Sequence, residues 1–255
     1  MTTARSLAQV ALALVLCACT QKSPAVPTAL PDPTGREWTR LRERLAIERS
    51  EASEHPYVVN VRVGLREPRT GRIFQARGAI AVDPSRALRM ILLGPGGATA
   101  LDAWVTDDQF RLVVPGIGLT RRSQPGGEGT DTRALPIGFL RWWMLHPLDG
   151  RVLAAWTRDA GALYLLRRGD ETVLLREARV PRSHREHIVA ARRERGRVEQ
   201  LEWLGSSPVA PHVGDKARYI DGASGLEVEV LVEGVGAHEP DPTAFLDPDA
   251  QGAAL

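Results

Sequence analysis

The chain has 255 residues, with 33 basic against 31 acidic side chains and a net charge of +2. That balance excludes a global pull toward nucleic acid or an anionic membrane. Cys17 and Cys19 are the only cysteines, so everything after them lacks both a disulfide and a thiolate metal site.

The N-terminus opens with Arg5, an apolar run from Leu7 to Leu16, and small residues after it. A charged start, a short apolar core and a small-residue cleavage site describe a secretory signal peptide. The run is about half the ~20 residues that a membrane-spanning helix needs. Leu16-Cys17-Ala18-Cys19 resembles a bacterial lipobox, which implies cleavage before Cys19 and lipid (palmitate-type) attachment to that residue. The alternative is an ordinary signal peptide with incidental cysteines. Thr20 is not the aspartate linked to inner-membrane retention, so the resemblance points to the outer membrane. Residues 1–18 are therefore expected to be a lipoprotein signal. Residues 19–33, with Pro24, Pro27, Pro31 and Pro33, are expected to be an extended tether.

A folded body is expected over residues 34–235. Thr34 and Glu37 fit a capping box, and Trp38, Leu41 and Leu45 form one apolar helix stripe. From Tyr57 the period becomes strand-like, over Tyr57–Leu65, Ile73–Val82, Ala87–Leu93, Thr99–Val105 and Gln109–Val114. Short turns separate these runs, including Asp83-Pro84-Ser85 and Gly94-Pro95-Gly96-Gly97, which predicts an antiparallel meander. Residues 115–134 read as a Gly- and Arg-rich loop, and Pro136–Leu145 as a helix apolar on nearly every side. Strands are expected again at Ala162–Leu166, Thr172–Glu177, Glu186–Ala191, Arg197–Leu204, Lys216–Ile220 and Leu226–Glu233. From Gly236 to Leu255 the Pro- and Asp-rich tail reads as poorly ordered, apart from Phe245 and Leu246.

Catalytic and phosphate-binding patterns are scarce. "GPGGATA" lacks the lysine of a P-loop and precedes a strand, so no helix N-terminus faces it. His184-Arg185-Glu186-His187 places its histidines three apart at the start of a strand, where they diverge; a solvated surface pair is the expectation. Residues 179–197 are locally basic, suited to lipid headgroups or a protein partner, or else simply a solvated hairpin. No aromatics interleave with these arginines, which argues against single-stranded nucleic acid. No catalytic residue, metal ligand or cofactor site is expected.

"LRMILLGPGGATALDAWVTDDQFRLVV" resembles the strand–turn–strand of the LolB family of outer-membrane lipoprotein receptors. "LPIGFLRWWMLHPLDG" is similar to that family's segment around a tryptophan before a turn, and Trp38 falls where the family carries another. The likeness spans residues 36–180. It implies a mainly β fold with some α: a curved antiparallel half-barrel, LolA/LolB-like, with helices over its concave face. It further implies an apolar cavity lined or closed by Met90, Leu92, Leu101, Ala103, Leu112, Val114, Leu140, Trp143 and Met144. A one-residue slip in register would reverse which residues face inward.

The chain departs from the family at one position. The receptor's turn carries an exposed, membrane-entering leucine where this chain has Gly96. The expectation is a non-enzymatic, membrane-anchored binding protein for lipid or acylated lipoproteins, attached through lipidated Cys19 and supplied by a periplasmic carrier protein. The alternative is an envelope scaffold with the same fold and a collapsed core. A cavity under the helix at 136–145 would favour the first, and a packed interior the second.

Overall fold

The computed structural model describes residues 35–249, except 85, 124–136, 147, 159–160, 170, 180–185, 195–196, 208 and 237–239. Helix α1 (Arg36–Ser50) buries Trp38, Leu41 and Leu45, the stripe that its sequence predicts. Burying three such side chains contributes about 1.5–3 kcal/mol each. The helix ends at Ser50, before Pro56 is reached. Its N-cap is Gly35, with no side-chain cap bond. The capping box with Thr34 is therefore corrected: the Glu37 carboxylate instead accepts from the Thr157 backbone N–H at 2.7 Å. That bond, with the Thr157 side chain beside it, lowers the Glu37 pKa. Glu37 joins the helix to a strand 120 residues later, a partner that local spacing does not reveal.

The first meander comprises β1 (Tyr57–Arg66), β2 (Ile73–Asp83), β3 (Ala87–Leu93), β4 (Thr99–Thr106), β5 (Phe110–Val114) and β6 (Leu119–Arg122). β6 and the short turn Pro115–Ile117 replace the start of the loop expected from residue 115. The rest of that loop lies outside the described residues. The second meander comprises β7 (Arg151–Arg158), β8 (Gly161–Arg168), β9 (Glu171–Arg179), β10 (Glu186–Glu194), β11 (Arg197–Gly205), β12 (Lys216–Asp221) and β13 (Glu227–Val235).

Among the described residues these form one antiparallel sheet in the order β6-β5-β4-β3-β2-β1-β13-β12-β11-β10-β9-β8-β7. The chain thus folds as two consecutive meanders, joined where β1 pairs β13. Their register sets Val63 opposite Val230, which packs half-buried against the core that Val61 and Val63 enter. Irregular pairing at Asn60/Val61, Leu92/Leu93 and Val152/Ala154 bends the strands locally. One close approach depends on a missing side chain: a Cβ at Gly78 would lie 1.9 Å from the Ile91 carbonyl oxygen.

The sheet is an open, curved half-barrel. Its concave face carries alternate residues of each strand, including Val59, Val61, Ile80, Val82, Leu88 and Tyr164. α1 covers β7 and part of the concave face, where Arg44 reaches the buried Glu177 carboxylate at 3.1 Å. The Tyr164 hydroxyl is pushed well above its ordinary pKa by burial and by the Glu177 charge. The opposite, convex face is covered in part by residues 240–249, which composition alone assigns to a poorly ordered tail. There Phe245 is buried, and its carbonyl accepts from Trp104 Nε1 at 3.0 Å. Arg122 pairs with Asp247 and Asp249, while Arg111 reaches Asp249 at 2.8 Å and Asp102 at 3.5 Å. Leu246 stays exposed.

Candidate functional site

The segment predicted as an apolar helix forms α2 (Ile137–Leu140), which widens into a π turn over Arg141–Leu145. Such insertions redirect side chains within one turn. Here the turn aims four consecutive residues, Trp142, Trp143, Met144 and Leu145, into the core. An ordinary α-helix of that length would leave one of them facing solvent. The turn packs against β2, β3 and β4, and Trp143 meets Trp203 of β11 edge-on at 5.1 Å. The segment therefore bridges the two meanders across the concave face.

Both ends are tied down by arginines donating to backbone carbonyls. The Arg141 guanidinium bonds the carbonyls of Thr106 and, at 3.0 Å, Gln109. Arg49 of α1 bonds the carbonyls of Leu148 at 2.6 Å and Gly150 at 2.6 Å. Burial lowers the pKa of both arginines, as expected for cations moved out of water. Leu148 has φ +60°, a conformation that costs a non-glycine residue energy, and Arg49 holds it there. His146 bonds Asp107, which also meets Arg168 at 3.2 Å.

The nine residues that the family likeness nominates as cavity lining come together. Met90, Leu92, Ala103, Leu112, Leu140, Trp143 and Met144 are buried in one core, and Leu101 and Val114 pack against it half-buried. The register pairs Met90 with Ala103, Leu92 with Leu101 and Ala103 with Leu112, so these side chains share the concave face. Among the described residues these side chains pack against one another. The space beside Trp143 and Met144, between Tyr57, Trp203 and Val209, is only about 10 Å³, roughly one water. A larger cleft of about 330 Å³ lies at the end of the segment, where Met144 and His146 face Arg49 and Tyr57. Burial pushes the Tyr57 hydroxyl up to about 12.

One feature of this core was not singled out from sequence. The indole N–H groups of Trp142, Trp156 and Trp203 are buried and have no acceptor among the described residues. Each such donor costs about 1–3 kcal/mol when shut away from water without a partner. Trp156 sits on β7, a strand that the sequence reading missed because "RVLAAWTR" has no clean alternation. Trp203 lies in an expected strand, but nothing local tells that its indole meets Trp143.

Gly96 sits in the exposed turn between β3 and β4 with φ +81°, so its glycine serves backbone geometry. The hairpin expected there is formed. The side chains of His184 and His187, and of arginines 179, 182, 185, 192, 193, 195 and 197, lie outside the described residues. Among the described residues no group of three or more His, Cys, Asp or Glu is arranged to hold a metal, and no helix is long and apolar enough to cross a membrane.

No protein-family model and no curated protein matches the sequence. Solved structures do share its architecture. A LolA superfamily protein from Nitrosomonas europaea is similar at TM-score 0.51 and 11% identity, over 80% of this chain and 97% of that one. A domain from Vibrio parahaemolyticus, proposed to be an outer membrane lipoprotein-sorting protein, gives TM-score 0.47 and 10% identity, over 81% of this chain and 94% of its own. A DUF1329 family protein from Desulfovibrio piger gives 0.42 and 12%, over 83% and 96%. With its curved antiparallel sheet and concave-face helices, the chain has a divergent LolA/LolB-like fold.

Proposed function

We propose that this protein is an envelope lipoprotein, anchored through Cys19, that holds the acyl chains of lipids or acylated lipoproteins against the concave face beneath residues 137–145. The observation that carries this reading is a pair of buried indole donors on the concave side, Trp142 and Trp203, that have no acceptor among the described residues. A core made only for stability gains nothing from buried N–H groups that lack an acceptor. An acylated ligand carries ester or amide carbonyls that could accept from them. Binding displaces the apolar turn, and its affinity is set by buried apolar area at roughly 25 cal/mol per Å². No step in this mechanism makes or breaks a covalent bond in the ligand, so the protein acts as a carrier or receptor and not an enzyme.

The LolA-type fold of the Nitrosomonas europaea protein agrees with such a role. The expected partners are an acylated lipoprotein and a periplasmic carrier that delivers it to the outer membrane. The test is retention of a triacylated lipoprotein by the purified full chain, against the same cargo with its acylated cysteine changed to serine. Acyl-dependent retention is expected, lost in Trp143→Asp and Leu92→Asp and weakened about 10-fold in Trp142→Phe, the loss of one hydrogen bond to the ligand. Equal retention of both cargoes would overturn the proposal.

The packed interior favours a second reading, an envelope scaffold that uses the same fold without a ligand. Mass spectrometry of native protein separates the two. Co-purified lipid supports the first, and partner capture indifferent to acylation supports the second.

A further inference from the structure

We infer that the convex face, where the two meanders join, carries a site for a small apolar monoanion, a carboxylate on a hydrocarbon body. The site is a groove of about 440 Å³ across β2, β1, β13, β12 and β11, larger than the cleft beside Tyr57. That volume lies within the range of small-molecule sites. The groove faces away from residues 137–145. The segment at 240–249 sits over β3–β6 and contributes nothing to its walls.

Strand register sets two rows of side chains across this groove. From β11 to β2 the first row runs Glu202, Arg218, Glu229, Gly64 and Gln75. The second runs Leu204, Lys216, Leu231 and Arg62. Gly64 places no side chain between Glu229 and Gln75, and that gap opens the groove. In the second row Leu231 stands between Lys216 and Arg62, with Leu204 beyond Lys216. An anion set over Leu231 is bracketed by an ammonium and a guanidinium, while its hydrocarbon body covers the two leucines.

Charge selects the sign of the ligand. Arg62 and Arg77 share Glu233, and Arg66 and Arg218 share Glu227. Arg218 also comes within 4.0 Å of Glu202. Lys216 has no ion-pair or hydrogen-bond partner among the described residues, and the Arg62 Nε–H has no acceptor among them. Across the groove and its ion-pair partners, Arg62, Arg66, Arg77, Lys216 and Arg218 face Glu202, Glu227, Glu229 and Glu233. The excess is one positive charge, which a monoanion neutralises and a cation would worsen. A second copy of this chain would set the same excess against itself. The inference does not rest on acyl binding beneath residues 137–145, because the two sites lie on opposite faces and either can fail alone.

Lys22 and Lys216 are the only lysines, so reductive methylation with isotope-labelled formaldehyde gives each its own NMR methyl signal and keeps its charge. The full chain carrying Cys17→Ser and Cys19→Ser is labelled in this way and titrated with decanoate below its micelle concentration. A saturable shift of the Lys216 signal is expected, with none at Lys22 and none from decyltrimethylammonium. Arg62→Gln should weaken the titration about 10-fold, the loss of one charge-assisted hydrogen bond. Gly64→Val fills the groove and should abolish the saturable shift. A Cβ at Gly64 meets only the Glu229 Cβ, at 3.9 Å, so the strand tolerates it. A Lys216 signal that does not move or does not saturate would overturn the inference. So would an equal shift at Lys22, an equal response to the cationic amphiphile, or an unchanged titration in Gly64→Val.

Discussion

Two segments close this half-barrel, one on each face, by different physics. On the concave face the turn at Arg141–Leu145 contributes two tryptophans, a methionine and a leucine, with arginines bonding backbone carbonyls at both ends. On the convex face residues 240–249 contribute one buried phenylalanine and a set of directed contacts: the Trp104 indole to Phe245, and Arg111 and Arg122 to Asp247 and Asp249. Apolar burial is large but indifferent to register, whereas hydrogen bonds and ion pairs fix register at modest net energy. The first kind of closure can be exchanged for another apolar body, while the second holds one segment in one place. The indoles of Trp142 and Trp203, which have no acceptor among the described residues, lie on the concave side.

That contrast can be tested by removing one closure at a time. Trp143→Ala should have the largest effect, a loss of about 3–5 kcal/mol in urea unfolding, because a ring buried between two meanders leaves a cavity. A loss below 1 kcal/mol would mean that the turn is not packed in solution, and the contrast would fail. Trp104→Phe keeps a ring but removes the donor to Phe245, and about 1 kcal/mol is expected. Hydrogen exchange should then quicken over residues 242–249 and leave 137–145 unchanged.

The smallest effect belongs to the ion pairs. A double-mutant cycle on Arg122 and Asp247 should give a coupling of about 1 kcal/mol or less, shrinking with added salt, since both side chains are partly solvated. The hydrogen bond from Arg122 holds the Asp247 carboxyl below its ordinary pKa. A depressed folded pKa means stability that is present above the unfolded value of about 3.9 and lost as pH falls through the folded value. The convex segment should therefore loosen on acidification below about pH 4, and Arg122→Ala should remove that dependence. The concave turn, whose buried side chains are uncharged and whose arginines bond backbone carbonyls, should follow it less. Limited proteolysis across that pH range distinguishes the two.

Much of this molecule was legible residue by residue. The strands from Tyr57 to Val114 appear within a residue or two of their expected bounds, because alternation and Gly/Pro turns are local properties. The stripe of Trp38, Leu41 and Leu45 is buried for the same reason. The nine nominated concave-face residues converge, but whether such residues enclose space depends on what packs over them. Trp142, Trp156 and Trp203 gave no advance signal, since an indole without an acceptor is defined by its surroundings.

The sequence by itself determined that this chain would form hairpins with one apolar face and a helix with one apolar stripe. Those features follow from the 2.0- and 3.6-residue periods of a single backbone. Tertiary structure alone decided the pairing of β1 with β13, Glu37's choice of Thr157 over its own helix end, the docking of Phe245 on Trp104, and the closing of the concave face. Each joins residues more than 100 positions apart or sums many weak contacts. Such partners are selected by the shape of the whole core, which no local spacing encodes.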